Sequence, residues 1–160
     1  MSSILITKNM DSQKLHDNRH EVILNTHDQK KVFDQIVLWG EASWWPKRCM
    51  MRFIRMGTSP IQKGTMYHQV VTLPLGPRWL SLVTEIIDNT SIARKYFESF
   101  IEGDETVRMR ALERSMKVEY LLTYRITGSF NRMLWKLCLE RMHDYNIKLI
   151  LNNLKNYVER

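Results

Sequence analysis

Lys117-Val118-Glu119-Tyr120-Leu121-Leu122-Thr123-Tyr124-Arg125-Ile126 holds the cleanest alternation in the chain, and Thr127-Gly128-Ser129 ends it. Val118, Tyr120, Leu122, Tyr124 and Ile126 fall on one face; Lys117, Glu119, Thr123 and Arg125 fall on the other, with Leu121 the apolar exception. Successive side chains of a strand point to opposite faces, so this is a strand with one face in a core. After the break the period changes, and no glycine or proline interrupts Ser129–Arg160. Phe130, Met133, Leu134, Leu137, Cys138, Met142, Tyr145, Leu149, Leu154 and Tyr157 keep spacings of three, four or seven over most of that length. That pattern predicts one long amphipathic helix with this stripe buried. Trp135, Leu139, Ile147 and Leu151 lie partly outside it, so the helix is expected to touch apolar neighbours on more than one side.

Upstream of that pair, the middle of the chain reads as consecutive strands. Met50–Met56 precedes a Gly57-Thr58-Ser59-Pro60 turn, and Met66–Leu73 is closed by Pro74, Gly76 and Pro77. Trp79–Ile87 turns through Asp88-Asn89-Thr90 into Ser91–Ser99, and a further strand is expected around Val107–Glu113. Nearer the start, Glu21–Asn25 is a short β-like run, and Thr26 with Gln29 makes a capping-box pattern that opens a helix carrying Val32, Phe33, Ile36 and Val37. Glu41–Pro46 reads as a second short helical turn stopped by proline. Residues 1–19 are polar and aperiodic, a flexible leader, and 20–160 is one domain. The order is strand, two short helices, strands, long helix. It predicts an α+β fold: a curved antiparallel sheet of about seven strands wrapped around the C-terminal helix.

Composition narrows the function classes. With 44% hydrophobic and 26% charged residues, the chain is ordinary for a globular domain. Cys49 and Cys138 are too far apart for a metal-binding or redox pair, which suits a reducing compartment. No apolar run is long enough to span a bilayer and no signal-peptide pattern is present, so the cytoplasm is expected. The net charge of +7 is scattered, with no basic block and no nucleic-acid motif. Nucleic acid is therefore not an expected partner, and weak contact with a membrane surface is the functional use left to the charge.

Several stretches taken in order resemble the START/polyketide-cyclase-like superfamily (SRPBCC, the helix-grip fold). Val32–Ile36 followed by Trp44-Trp45-Pro46 looks like its first helical segment and tryptophan-proline turn. Lys63-Gly64-Thr65-Met66 looks like the glycine turn opening its third strand, and Val83–Asp88 with Ile92-Ala93 like its central hairpin. Phe100-Ile101-Glu102-Gly103 with Val107–Glu113 resembles its glycine-marked strand, Met109 and Ala111 standing where a tryptophan is usual. The resemblance covers residues 20–158 and implies a deep apolar pocket between sheet and helix. It implies no single chemistry, because members include lipid carriers, hormone receptors and aromatase/cyclase enzymes.

Pocket residues follow from the strand parities. Phe53, Tyr67, His68, Met109, Tyr120, Leu122 and Tyr124 from the strands, with Met133 and Leu137 from the helix, are expected to bind the ligand. Tyrosines on an apolar face can orient a bound molecule through their hydroxyls, and methionine adapts to varied shapes. His68 is chosen as a histidine in mid-strand; Glu85 is expected to point outward. Glu140 and His143 have an i, i+3 spacing, but with no second cluster they read as helix surface, so neither metal nor cofactor is expected. No phosphate loop, GxSxG elbow or Cys–His pair is present. Three readings result. The first is binding or transport of an apolar or amphipathic, lipid- or polyketide-like molecule. The second is a cyclase- or hydratase-like enzyme using a pocket Tyr, His or Glu. The third is an interaction protein with a filled core, forming a homodimer through Trp135, Leu139 and Leu151.

Overall fold

Seven strands form one antiparallel sheet in the spatial order β1-β7-β6-β5-β4-β3-β2. A computed structural model describes residues 15–74 and 76–160. The strands are β1 (His16–Leu24), β2 (Met51–Met56), β3 (Met66–Val71), β4 (Arg78–Ile87), β5 (Ser91–Phe97), β6 (Ile101–Ala111) and β7 (Met116–Ile126). Helix α1 (Gln29–Val37) follows β1, and the C-terminal helix runs as α2 (Ser129–Leu134), a π-helical turn (Trp135–Leu139) and α3 (Glu140–Val158). Strands 2 to 7 pair with their sequence neighbours, while β1 crosses over to pair with β7. The inner face of the curved sheet holds the C-terminal helix, which is the helix-grip arrangement.

The alternation of β7 is realised residue for residue: Met116, Val118, Tyr120, Leu122, Tyr124 and Ile126 are all buried. Curvature has local causes. A bulge between Val83 and Glu85 shifts the β4–β5 register, and a bulged strand bends. Gly103 sits between Tyr96 and Tyr124 in the register, where an added Cβ would run into the Thr123 carbonyl oxygen. Asn89, at φ +54°, makes the β4–β5 turn, a backbone conformation asparagine tolerates.

Three details differ from the sequence reading. Strand β1 begins at His16, inside the stretch read as leader; residues 1–14 of that leader lie outside the described residues. The inward side chains of its first half, His16, Asn18 and His20, are polar and so hid the start of the strand. His16 stacks on Tyr124, while Asn18 (2.5 Å) and His20 (3.2 Å) both bond the Asp144 carboxylate of α3. The cap of α1 is Asp28, whose carboxylate accepts from the Lys31 N–H at 2.9 Å; Thr26 accepts instead from the Asp28 N–H. Glu41–Pro46 forms turns, not a second helix. Gly40 starts that segment at φ +91°, and Phe53 packs where its Cβ would be, so Trp39, Trp44 and Trp45 fold together as an aromatic cluster.

The largest correction concerns the helix. Trp135, Leu139, His143, Asn146, Ile147, Ile150, Leu151, Leu154 and Val158 are its buried residues, whereas Phe130, Met133, Leu137, Tyr145 and Tyr157 are exposed. The stripe expected to be buried lies largely outside, apart from Leu154 and the half-buried Met142 and Leu149. Polar residues concealed the true face, since His143 and Asn146 interrupt it. Trp135 and Leu139, at i and i+4, lie on the same side of the helix as His143. Because Trp135, Leu139 and Leu151 are in the core, they cannot form the dimer contact inferred for them. No helix among the described residues is long and apolar enough to cross a membrane.

Candidate functional site

Side chains at alternate positions of β3 to β7 bring a polar group to the centre of the inner sheet face. Arg94 on β5 pairs with Glu105 on β6, and both are fully buried. The Arg94 Nη1 donates to Glu105 Oε1 at 2.8 Å, and the Tyr96 hydroxyl donates to Glu105 Oε2. The Tyr120 hydroxyl stands beside the Tyr96 hydroxyl and the Glu105 carboxylate. On its other side it meets His143 Nε2 of α3 at 3.3 Å. Hydrogen bonds join Arg94, Glu105 and Tyr96 in series, and Tyr120 beside them carries the polar chain on to His143 of the helix. Burial, reinforced by the Glu105 charge, holds the Tyr96 and Tyr120 hydroxyls well above the ordinary phenol range. Burial is also the main reason that the His143 imidazole is depressed to about 4, so it is neutral at physiological pH.

Several atoms in this interior have no partner. Arg94 Nε and Nη2, the Tyr67 hydroxyl, Gln69 Oε1, His143 Nδ1 and Asn146 Nδ2 are buried without a hydrogen bond. Tyr67 lies 5.8 Å from the Arg94 guanidinium carbon, in cation–π range, and the Gln69 amide donates to Ser81 Oγ at 2.7 Å. Nearly all buried polar groups of native proteins are bonded, and each exception calls for a reason. An ion pair sealed in a core adds little stability compared with apolar residues of the same volume. The interior is thus more polar than stability alone requires.

One end of this chain meets a cleft. Its walls come from Met51, Trp79 and Phe100 on the sheet side and from Trp135, Leu139, Met142 and His143 on the helix side. Apart from His143 they are apolar or aromatic, and the space between them is about 10 Å³, enough for roughly one water molecule. Trp135 is fixed by its indole N–H, which donates to the Tyr124 hydroxyl at 3.0 Å, and its ring lies 5.9 Å from that of His143. The π turn Trp135–Leu139 therefore supplies a cleft wall.

Of the nine residues expected at the pocket, six turn inward: Phe53, Tyr67, Met109, Tyr120, Leu122 and Tyr124 are buried on the inner sheet face. His68 has the opposite parity to Tyr67 and Gln69 and faces the outer side. Met133 and Leu137, 53% and 69% exposed, belong to the outward face of the helix. None of the nine lines the cleft itself, although Tyr120 and Tyr124 reach it through His143 and Trp135. His143, read from sequence as helix surface, is 5% exposed. The signal that could have found Glu105 was its parity, shared with Ile101, Val107 and Met109; Arg94 shares that of Ile92 and Tyr96. Glu85 is exposed, as the sequence reading has it.

No protein-family model matches the chain, and no curated protein sequence matches it. Solved structures do. TTHA0849 from Thermus thermophilus has a TM-score of 0.67 at 16% identity, over 88% of this chain and 95% of that one. Norcoclaurine synthase from Thalictrum flavum, in complex with dopamine and hydroxybenzaldehyde, has a TM-score of 0.67 at 10% identity, over 99% and 96%. Ara h 8.0201 has a TM-score of 0.62 at 14% identity, over 91% and 98%. Likeness at such identities is likeness of fold, and the fold they share with this chain is the helix grip.

Proposed function

We propose that this helix-grip chain binds an apolar or amphipathic small molecule between its sheet and its C-terminal helix, entering at the Trp79–Phe100–Trp135 cleft. The observation that carries the reading is an apolar cleft ending on a buried histidine, backed by a polar chain with unpaired donors and acceptors. Ligand sites are typically of this kind: mostly apolar walls with few, fixed polar groups. A cleft of about 10 Å³ must widen to admit a ligand. The π turn is the element suited to yield, since such turns recur at functional sites and its regular α-helical alternative moves Trp135 and Leu139. Shared fold supports the reading too: the norcoclaurine synthase structure holds dopamine and hydroxybenzaldehyde.

Native mass spectrometry of freshly purified full chain, with extraction of what is released, tests it. A co-purified apolar molecule, or a melting temperature raised by sterol-like, fatty-acyl or polyaromatic compounds and no longer raised in Met142→Trp, is the expected result. No adduct and no shift with any class would leave a filled core and overturn the proposal.

Proton transfer on the bound molecule is the second reading, favoured by the Glu105–Tyr96–Tyr120–His143 chain. A general acid or base within reach of the ligand contributes on the order of 10²–10⁴-fold to a rate. Solvent-deuterium exchange at the α-carbon of a bound ketone, lost in Tyr120→Phe, would make the protein an enzyme. Absence of exchange leaves it a binder.

A further inference from the structure

Phe130, Met133, Leu134 and Leu137 are between 37% and 69% exposed, and they recur at spacings of three, one and three at the start of the C-terminal helix. Residues so spaced share one side of a helix, so they form a single apolar stripe open to water. No other element among the described residues exposes more than two large apolar side chains. Scattered apolar residues on a surface need no reason, but a contiguous stripe marks a surface that is covered in use. Charge indicates what covers it. Arg141, Tyr145 and Lys148, all exposed, continue the same side at four, eight and eleven residues from Leu137, and Lys136 is exposed beside Leu137. Among the described residues, Lys136, Arg141 and Lys148 form no ion pair. The carboxylates of this stretch are turned elsewhere: Glu140 is half-buried, and Asp144 bonds Asn18 and His20 of β1.

We propose that this outward side of the C-terminal helix docks on an anionic lipid bilayer, with Phe130, Met133, Leu134 and Leu137 entering the acyl boundary and Lys136, Arg141 and Lys148 resting among the headgroups. A second copy of the chain is the rival occupant. An isologous contact through this face brings two sets of unpaired cations together and supplies no carboxylate to offset them. An anionic bilayer answers both features at once, with apolar depth for the stripe and negative charge for the cations. The same turns of helix wall the cleft from the inside, through Trp135 and Leu139. The docking stands on the surface alone. Taken with the binding reading, it also sets the turn that yields to a ligand at the lipid boundary.

Flotation of the full chain with phosphatidylcholine vesicles carrying phosphatidylserine, against vesicles of phosphatidylcholine alone, tests it. Partition into the anionic vesicles is expected to be at least about tenfold stronger. Phe130→Ser with Leu137→Ser, which leaves the charge unchanged, should weaken that partition at least about tenfold. Lys136→Gln and Arg141→Gln should each weaken it about fivefold. Ile54→Ser with Met56→Ser, at exposed positions of β2, should leave it unchanged. Every altered side chain is exposed, so the melting temperatures of the variants should match that of the unmodified protein, which separates lost docking from lost folding. Absence of partition into either vesicle would overturn the proposal, as would equal partition into both or partition that survives Phe130→Ser with Leu137→Ser. A dimer in analytical ultracentrifugation that the same two substitutions dissociate would also overturn it, because a second copy would then cover the face. None of these failures bears on the ligand-binding reading, whose adducts and melting shifts are measured without vesicles.

Discussion

Glu119 and Tyr120 are adjacent on β7 and belong to two polar networks on opposite faces of the same sheet. On the outer face, Glu119 accepts from Arg19 at 2.5 Å and Arg108 at 2.7 Å and lies 3.1 Å from Lys117, which also reaches Glu21 at 2.6 Å. Each carboxylate there has cations around it, and Arg19 and Arg108 are about half in water. On the inner face Tyr120 joins Glu105 and Arg94, which have no access to water, and unpaired nitrogens remain on Arg94 and His143. Surface ion pairs contribute little and cost little, because water replaces whatever is removed. A buried pair has no such replacement, so it constrains the fold strongly without adding much net stability. The outer network is what a basic, hydrated surface forms. The inner one is retained at a cost that folding alone does not explain.

The sharpest way to break this contrast is to remove one inner partner. Glu105→Ala leaves the Arg94 guanidinium buried without its carboxylate and should destabilise the fold by about 3–5 kcal/mol in urea denaturation. Replacing the pair together, Arg94→Met with Glu105→Leu, should recover most of that loss. If Glu105→Ala cost no more than a surface substitution, the inner pair would be solvated and the contrast false. The helix gives a second comparison of faces. Leu151→Ala should cost about 2–5 kcal/mol, whereas Leu137→Ala, on the outward face, should stay within roughly 0.5 kcal/mol. Equal costs would return Leu137 to the core.

These two helix residues also show how far the sequence could be read. Element order, strand parity in β7 and the long terminal helix all follow from periodicities of 2 and 3.6, and together they point to the grip. Where an inward face is apolar, as at Val118 or Tyr120, parity alone places the residue. Where it is polar, parity is outweighed by composition: His16 and Asn18 look like a leader because the partner of Asn18, Asp144, is far along the chain on α3. His143 and Asn146 split the true helix stripe for the same reason. The tyrosines of the site were thus legible, and the charged and histidine members were not, since only long-range pairing makes a buried charge tolerable.

A pH titration sharpens the contrast at the next smaller scale. His143 in the fold lies at about 4, against 6.5 for the free side chain, so the unfolded chain binds the extra proton first. Stability is complete above about pH 6.5 and falls as pH drops toward 4, by about 3 kcal/mol from this residue. Urea midpoints between pH 7 and 4 should show the slope, and His143→Gln should flatten it. An unchanged slope in that variant would mean that other groups carry it.

Glu119 should behave in the opposite manner, and its effect is the smallest. Desolvation pushes its carboxyl up, but hydrogen bonds from Arg108, Lys117 and Arg19 outweigh that and bring it to about 2, below the usual 4.5. Its contribution is therefore present above about pH 4.5 and is lost as pH falls toward 2, a window below that of His143. The three cations reach into water, so the Coulomb attraction is screened, and Glu119→Gln should cost less than about 1 kcal/mol at low salt. Raising the ionic strength to about 1 M, where the screening length is about 3 Å, should erase most of that cost. The same salt should leave the Glu105→Ala penalty almost unchanged, because no ion can approach Arg94 through the closed grip. A Glu119 cost that persists in high salt would place both faces of β7 under the same physics, and the inner network would lose its claim to be exceptional.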